Sequence, residues 1–474
     1  MQAYSAQFGG GGAATLLNPL ILVAMLIAIA LIFVLPRRFV IVPLLITIFL
    51  TPQGQQIYVG GVHLFVSRIL ILAAFIRAVT SRAPGQKWLL SGGWVPIDTA
   101  TISSVVIVAV ATMIRFGSAA AVINQLGYLW DDVLGYLALR SLIQDERDTL
   151  LAIKSFASLA IIFSLTMYLE QVKMMNFFGL FGGVNLFPEV RDGKIRSQGV
   201  FQHSLTAGAF GGTAIPLFII LWKTKKSRLP AAVGAITAFA MVYFTQTSTS
   251  LLTAAAAVLG ILLWPLRKKM RSIRLSLVGG IIALALVMKA PVWFIIAHID
   301  LTGSSSSYHR AELIDQCVNH FSNWWLMGTS QAASWGWDMW DTQDMYVSVA
   351  EAGGLAALVF YILVISRSFS RIGRARKRAD SPREEWLFWL LGAALFAHVV
   401  AFFGVNYFDQ SRMAWFVLLA MVCACSTEAL SRKREGVSAK VTMRVKFPWG
   451  RLTKWPAAQP KKTVAWLQSR SQIK

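Results

Sequence analysis

The sequence predicts an all-α protein, a polytopic transmembrane helical bundle of about twelve to thirteen spans. Of its 474 residues, 56% are hydrophobic and only 14% are charged, a composition outside the range of soluble globular chains. Apolar runs of roughly 17–24 residues recur along the chain, which is the length that crosses a bilayer. The net charge of +23 lies in short clusters beside these runs, where membrane orientation and anionic headgroups explain it. We therefore expect membrane lipids, and no nucleic acid, as partners.

The predicted spans fall into three regions, 1–170, 171–366 and 367–430, followed by a basic tail, 431–474. Span 39–51 is short enough to be re-entrant, and span 121–141 carries Asp131 and Asp132. The predicted boundaries are 17–35, 39–51, 62–80, 96–116, 121–141, 152–170, 205–222, 230–246, 251–266, 275–298, 345–366, 386–404 and 412–430.

Basic residues predict the orientation of the bundle. Most of the 45 Lys and Arg residues fall in connectors that alternate along the chain, in clusters at 223–228, 267–274, 367–383 and the tail. Lys and Arg accumulate in cytoplasmic loops, so these connectors are predicted to be cytoplasmic. The expected location is a bacterial inner membrane, with the N-terminus periplasmic and the C-terminus cytoplasmic.

Two long connectors, 171–204 and 299–344, are predicted to lie outside and to form a periplasmic subdomain. The first places Arg191, Lys194 and Arg196 within six residues, on the side where cations are scarce. Such a group suits a pyrophosphate or a carboxylate. The alternative is a solvated loop in which the arginines pair with Glu189 and Asp192. The glycines that follow should let helices pack closely; they are Gly199, Gly208, Gly211 and Gly212.

The second connector contains one basic residue, Arg310. The helical spacing of Leu313, Cys317 and Trp324 predicts an amphipathic helix on the outer membrane surface, with Arg310 at its N-terminal end. An arginine there favours an anion site, and the alternative is an arginine that reaches a lipid phosphate. His309 is either a base or a polar loop residue.

Acidic residues cluster where the second connector meets the next span. They are Asp338, Asp341, Asp344 and Glu351. Acids at membrane depth are costly and tend to be functional. A carboxylate near arginines would be charge-paired or would act as a general base. No spacing here matches a metal site.

Four segments in this order resemble the bacterial O-antigen ligase and O-antigen (exopolysaccharide) polymerase superfamily of inner-membrane proteins. The likeness covers about 170–365, and the earlier spans match only in general character. The segments are RSQGVFQHSLTAG (196–208), TQTSTSLLTAAAAVLGI (245–261), HRAELIDQCVNHFSNWWLMGTS (309–330) and DTQDMYVSVAEAGGLAALVFYIL (341–363).

The resemblance implies a membrane glycosyltransferase. A glycan on undecaprenyl pyrophosphate moves to an acceptor hydroxyl, on a glycan or lipid A-core, at the periplasmic face, and no cofactor or metal is required. By the same resemblance Arg310 and Arg196 bind the pyrophosphate and Arg191 assists, while Glu351, Tyr346 and His203 support the site. Other polysaccharide-export proteins are further expected partners.

One departure from the family leaves the catalytic base open. Ligases of this family place a histidine at the head of the segment that enters the late span, where this chain has Gln343-Asp344. Gln343 cannot take a proton at neutral pH, so Asp344, Asp341 or His309 is the expected base. This departure favours a polymerase or an unassigned exopolysaccharide role over a lipopolysaccharide ligase. Two other functions stay open: a transporter or flippase of a lipid-linked or anionic substrate that uses Asp131 and Asp132, and a non-catalytic scaffold.

Overall fold

Helices dominate the computed structural model, which describes residues 15–60, 62–81, 89–222, 227–298 and 306–444. The predicted N-terminal location, the basic residues Arg82 and Lys87, part of the 223–228 cluster, the start of the second connector and the tail from 445 lie outside these residues. The all-α prediction is confirmed, because the only strands in the described ranges form two short hairpins.

The N-terminal region contains α1 to α7 and one hairpin. Polar caps begin several of these helices: Asn18 accepts a hydrogen bond from Leu20 N at the start of α1, and Asp145 accepts one from Asp148 N at the start of α7, as helix N-termini require. The elements are α1 Pro19–Val34, α2 Ile41–Leu50, β1 Gln56–Val59, β2 Val62–Phe65, α3 Val66–Thr80, α4 Pro96–Phe116, α5 Ala119–Leu129, α6 Gly135–Leu142 and α7 Glu146–Lys173.

The remaining elements run from the second hairpin to the last helix. They are β3 Glu189–Arg191, β4 Lys194–Arg196, α8 Ser204–Trp222, α9 Arg228–Phe244, α10 Ser248–Leu262, α11 Met270–Val287, α12 Ser306–Asn319, α13 Phe321–Trp324, α14 Met345–Arg376, α15 Pro382–Ala401 and α16 Asp409–Arg444. Both hairpins are antiparallel, and Glu189 lies opposite Arg196 in the second.

Seven helical segments in the described ranges are long and apolar enough to cross a membrane. This agrees with a multi-pass membrane protein. Three further apolar helices, α1, α9 and α10, are shorter, and α2 has ten residues. The seven segments are Pro96–Phe116, Glu146–Lys173, Ser204–Trp222, Trp264–Val287, Met345–Arg376, Pro382–Ala401 and Asp409–Ser431.

Among the seven long apolar segments the most enclosed is α8, which packs against α7, α9, α10 and α15. A Cβ atom on Gly208 would collide with Ser250 Oγ, and one on Gly211 would lie 2.9 Å from the Ala238 carbonyl oxygen. The predicted close packing at these glycines is confirmed. By contrast, no described side chain of α11 is buried, so this helix presents its apolar surface to lipid.

Two predicted spans are interrupted. Residues 121–141 form α5 and α6 joined by a π-helical segment, Trp130–Leu134, which carries Asp131 and Asp132. The helix α14 breaks at Gly354, where φ is 77° and ψ is −172°. A break of this kind inside a span is tolerated where other parts of the protein satisfy the freed backbone groups.

The predicted surface position of the second connector is wrong in one respect. Leu313, Cys317 and Trp324 do face one way, but they pack into a small core with Met339 and Val347 instead of facing a membrane. Trp324 is 5% exposed, and its Nε1 donates a hydrogen bond to the Cys317 carbonyl oxygen. The protein itself buries the apolar face of α12, so the helix does not need lipid to cover it.

Candidate active site

The predicted site residues gather around two turns at one end of the bundle. One is the α9–α10 turn, 245–247, and the other is the α15–α16 loop, 402–408. Ser197 N, directly after Arg196, donates to the Phe244 carbonyl oxygen over 3.1 Å, and Met345 N, directly after Asp344, donates to the Phe402 carbonyl oxygen over 2.8 Å. Backbone hydrogen bonds therefore attach the Arg196 and Asp344 segments to these turns.

Arg310 lies in the second turn of α12 and is 6% exposed. The expectation that it begins the helix is therefore corrected by one turn. A Cβ atom placed on Gly404 would lie 3.2 Å from Arg310 Nε and 2.6 Å from Thr249 Oγ1. Gly404 thus lies directly against both groups, and a larger residue there would collide with Thr249 and crowd the guanidinium. This burial argues against a guanidinium that reaches out to lipid phosphate.

Asp344 is fully buried at the N-cap of α14. Its Oδ1 accepts hydrogen bonds from Tyr346 N at 2.8 Å and Val347 N at 3.0 Å. Its Oδ2 is also buried and has no hydrogen-bond partner among the described residues. Burial raises the pKa of Asp344 to about 6, against the lowering effects of the two backbone N–H groups and of the Arg310 charge. This carboxylate can therefore accept a proton near neutral pH.

The other two candidate bases lie beside Asp344 but are engaged elsewhere. Gln343 Nε2 donates to Asp341 Oδ2, and His309 Nε2 donates to the Asp341 backbone oxygen over 3.1 Å. Gln343 thus holds the Asp341 side chain. Because Asp344 Oδ2 has no hydrogen-bond partner among the described residues, Asp344 is the best placed of the candidate bases.

Two of the supporting residues fix the segment around Asp344. Glu351 Oε2 accepts a hydrogen bond from Thr342 Oγ1 at 3.0 Å. The Tyr346 hydroxyl donates to the Val399 carbonyl oxygen over 3.1 Å, and its ring packs on Phe403 with centroids 4.8 Å apart. These contacts hold the start of α14 in position.

His203 contacts the α15–α16 loop. Its ring meets the edge of Phe408 with centroids 5.8 Å apart. The contact joins the first connector to the same loop that carries Gly404.

Arg196 is 8% exposed and lies opposite Glu189 in the hairpin. The Arg196 Nη1 to Glu189 Oε1 distance is 3.8 Å, and Arg196 Nε is buried without a hydrogen-bond partner among the described residues. Burial lowers the pKa of Arg196, Glu189 raises it, and the nearby Arg191 lowers it further. The predicted alternative, in which Glu189 pairs with an arginine of this hairpin, is present at Arg196 only as this loose contact.

Hydrogen bonds also hold the second connector against the break in α14. Arg115 Nη1 donates to the carbonyl oxygens of Met327, at 2.9 Å, and Glu351, at 3.0 Å. Leu355 N, just after Gly354, donates to the Trp325 carbonyl oxygen over 2.8 Å. The connector therefore supplies the backbone partners that the broken helix lacks.

Sequence reasoning did not identify Arg115, Gly404 or the loop 402–408. The loop lies between two apolar spans as FFGVNYF and carries no charge, so composition gives no signal for it. A short connector with Gly and Asn between long helices was the only available indication. In the described ranges, no three His, Cys, Asp or Glu residues are grouped so that they could hold a metal ion.

Comparison with models of known protein families finds no match, and comparison with curated proteins finds no similar sequence.

Proposed function

We propose that this protein transfers or polymerises glycan from an undecaprenyl-pyrophosphate donor to an acceptor hydroxyl at the periplasmic face of a bacterial inner membrane. The observation that supports it most directly is the buried Arg310 beside Asp344, a carboxylate with one oxygen unoccupied by the described residues. Arg196 lies in the segment attached to the α9–α10 turn, and Thr249, at the start of α10, lies against the same Gly404 as Arg310. Buried guanidinium groups bind phosphate oxygens strongly, so this end of the bundle suits a pyrophosphate leaving group.

The proposed step uses the protein as a base and as an anion site. The acceptor oxygen forms a bond to the anomeric carbon, while the bond from that carbon to the pyrophosphate oxygen breaks. The acceptor proton goes to Asp344 Oδ2, and the departing pyrophosphate keeps the electron pair. Arg310, Arg196 and Arg191 stabilise its negative charge.

The proposal includes the finer topology of the sequence prediction. The thirteen predicted spans, an odd number, would place the N-terminus and the two connectors in the periplasm, with those connectors forming a subdomain over the acceptor. The basic tail would contact anionic lipid on the cytoplasmic side. Membership of the O-antigen ligase and polymerase superfamily is part of the same proposal, and the charge pattern and the ordered segments support it.

Substitution of the arginines tests the proposal in the native host. Arg310→Ala and Arg196→Ala should lose long-chain surface polysaccharide on a gel while inserting normally. Arg271→Ala, at an exposed arginine of α11, is the matched control and should keep it. A shift to single repeat units indicates a polymerase, and loss of all glycan from the lipid core indicates a ligase.

Two outcomes contradict the proposal. Arginine variants that match the wild type exclude a pyrophosphate held by these residues. Purified protein that binds the lipid pyrophosphate and never turns it over would be a scaffold.

The transporter or flippase alternative depends on Asp131 and Asp132. Each carboxylate has a counterion within the protein: Arg68 Nη2 lies 2.8 Å from Asp131, and Arg412 Nη1 lies 2.8 Å from Asp132. These pairs explain the acids at membrane depth without a transported ion. We therefore favour the transferase.

A further inference from the structure

A cavity of about 330 Å³ lies between α4, α5, α14 and α16, close to the candidate active site. None of the predicted catalytic or pyrophosphate-binding residues lines it. Ser348, on its wall, follows Asp344 by four residues and therefore lies one turn further along the same face of α14. Asn406, also on the wall, belongs to the loop that carries Gly404. The cavity and the candidate active site thus share two structural elements, α14 and the α15–α16 loop.

The charges on the cavity wall neutralise each other. Arg412 Nη1 lies 3.0 and 2.8 Å from the two carboxylate oxygens of Asp132. Arg412 Nε and Nη2 donate to the Tyr407 carbonyl oxygen at 3.2 and 3.0 Å. A buried pair satisfied in this way has little capacity for a second ion. The cavity therefore suits a neutral ligand better than a charged one.

Polar groups remain available beside this pair. The Tyr361 side chain is 7% exposed, and its hydroxyl is buried without a hydrogen-bond partner among the described residues. Gln125 also lines the wall, and Asn406 Nδ2 donates to Ser348 Oγ over 2.9 Å. A buried hydroxyl without a partner costs free energy that a hydrogen-bonding ligand would recover. These groups point to a ligand with several hydroxyls.

Aromatic rings form a further part of the wall. Tyr128, Tyr407, Trp415 and Phe416 supply flat apolar faces, and the volume lies at the small end of the range for small-molecule sites. A sugar ring combines an apolar C–H face with a rim of neutral hydroxyls. Both halves of that chemistry are present here.

We propose that this cavity binds a terminal sugar residue of the acceptor glycan. The inference rests on the proposed transferase function and assigns its acceptor sugar to this cavity. A sugar held here would lie about one helical turn, ~5 Å, from the Asp344 position. Tyr361 contributes a hydrogen bond to it, and the aromatic wall contributes the apolar contact.

Cysteine protection in the full-length protein tests the inference. Ser348→Cys places a thiol on the wall, and the wild type, whose three cysteines are buried, gives the background. The probes are the methyl glycosides of glucose, galactose, N-acetylglucosamine and rhamnose, with decanol as the apolar comparison. At least one glycoside should slow labelling by N-ethylmaleimide about five-fold or more, and decanol should not.

A second variant identifies the contact. Tyr361→Phe, combined with Ser348→Cys, should raise the half-protecting glycoside concentration about five-fold, the value of one ordinary hydrogen bond. Tyr168→Phe, at a half-exposed tyrosine of α7, should leave it unchanged. The inference is overturned if none of the glycosides protects the thiol or if decanol alone protects it. It is also overturned if Tyr361→Phe leaves the half-protecting concentration unchanged.

The proposed function has its own readout in the same preparation. Inorganic pyrophosphate should bind the wild type and bind Arg310→Ala at least ten-fold more weakly. Glycoside protection without pyrophosphate binding would leave a saccharide site and contradict the transferase. Pyrophosphate binding without glycoside protection would contradict the saccharide site and leave the transferase.

Discussion

Asp98 and Asp344 occupy similar positions in different parts of the bundle. Both lie at the start of a long helix, both are fully buried, and both have an arginine nearby. Asp98 belongs to the first turn of α4, and Asp344 caps α14. Position and burial alone therefore do not separate their roles.

The difference lies in how many acceptor sites are filled. Asp98 Oδ1 accepts from the Tyr136 hydroxyl and from Arg140 Nε, and its Oδ2 accepts from Val95 N at 2.8 Å and Arg140 Nη2 at 3.3 Å. Asp344 uses only Oδ1 among the described residues. A saturated carboxylate serves the fold, whereas a carboxylate with a remaining oxygen can receive a proton. The comparison supports a structural role for Asp98 and the proposed role of Asp344 as the base.

Substitution of Asp344 should give the largest effect on activity. Asp344→Asn keeps Oδ1 as the helix cap, since Asn and Asp cap equally well, but removes the proton acceptor. We expect glycan transfer by the purified protein to fall about 10²–10⁴-fold, the usual contribution of a general base, with little change in melting temperature. Transfer within a few-fold of the wild type would show that Asp341 or His309 is the base.

Substitution of Asp98 should give the opposite pattern. In Asp98→Asn the side-chain NH2 group faces N–H donors in either orientation. At the Oδ1 position it faces Arg140 Nε, and at the Oδ2 position it faces Val95 N and Arg140 Nη2. Breaking a buried ion pair from one side costs about 3–5 kcal/mol, so the melting temperature in detergent should fall far more than in Asp344→Asn. Activity per folded molecule should stay near the wild type. Equal melting temperatures for the two variants would remove the distinction drawn here.

The sequence alone pointed to Asp344 because it is an acid at the start of an apolar span. It pointed to Arg310 because this is the one Lys or Arg residue of the second connector. It could not separate Asp344 from Asp98, since the partners that saturate Asp98 are Tyr136 and Arg140, about 40 residues away along the chain and close only after folding. The long helices were predictable because hydropathy is a local property. The burial of Trp324 was not, because spacing shows an apolar face and not what covers it.

The titration of Asp344 should appear in both rate and stability. Because the base must be ionised, transfer should rise about tenfold per pH unit below the pKa of about 6 and level off above it. The raised pKa means that the folded state binds more protons than the unfolded state between about pH 4 and 6. Stability from this group is therefore full below pH 4 and decreases as pH rises through 6. Asp344→Asn should abolish that decrease in thermal unfolding scans, and a slope that persists in the variant would assign it to another group.

The two aspartates also differ in the helices that hold them, because α4 is continuous while α14 breaks at Gly354. A Cβ atom on Gly354 would lie 2.7 Å from the Leu326 carbonyl oxygen, and its φ of 77° favours glycine. Gly354→Ala should destabilise the protein by about 1–3 kcal/mol and should lower transfer several-fold, because the half-helix behind Asp344 must shift. Gly373→Ala is the matched control in the same helix: a Cβ there meets no atom within 4 Å, so the variant should be neutral or slightly more stable. If both alanine variants behave alike in thermal unfolding and in transfer, the break in α14 does not position Asp344, and the second connector holds that carboxylate by itself.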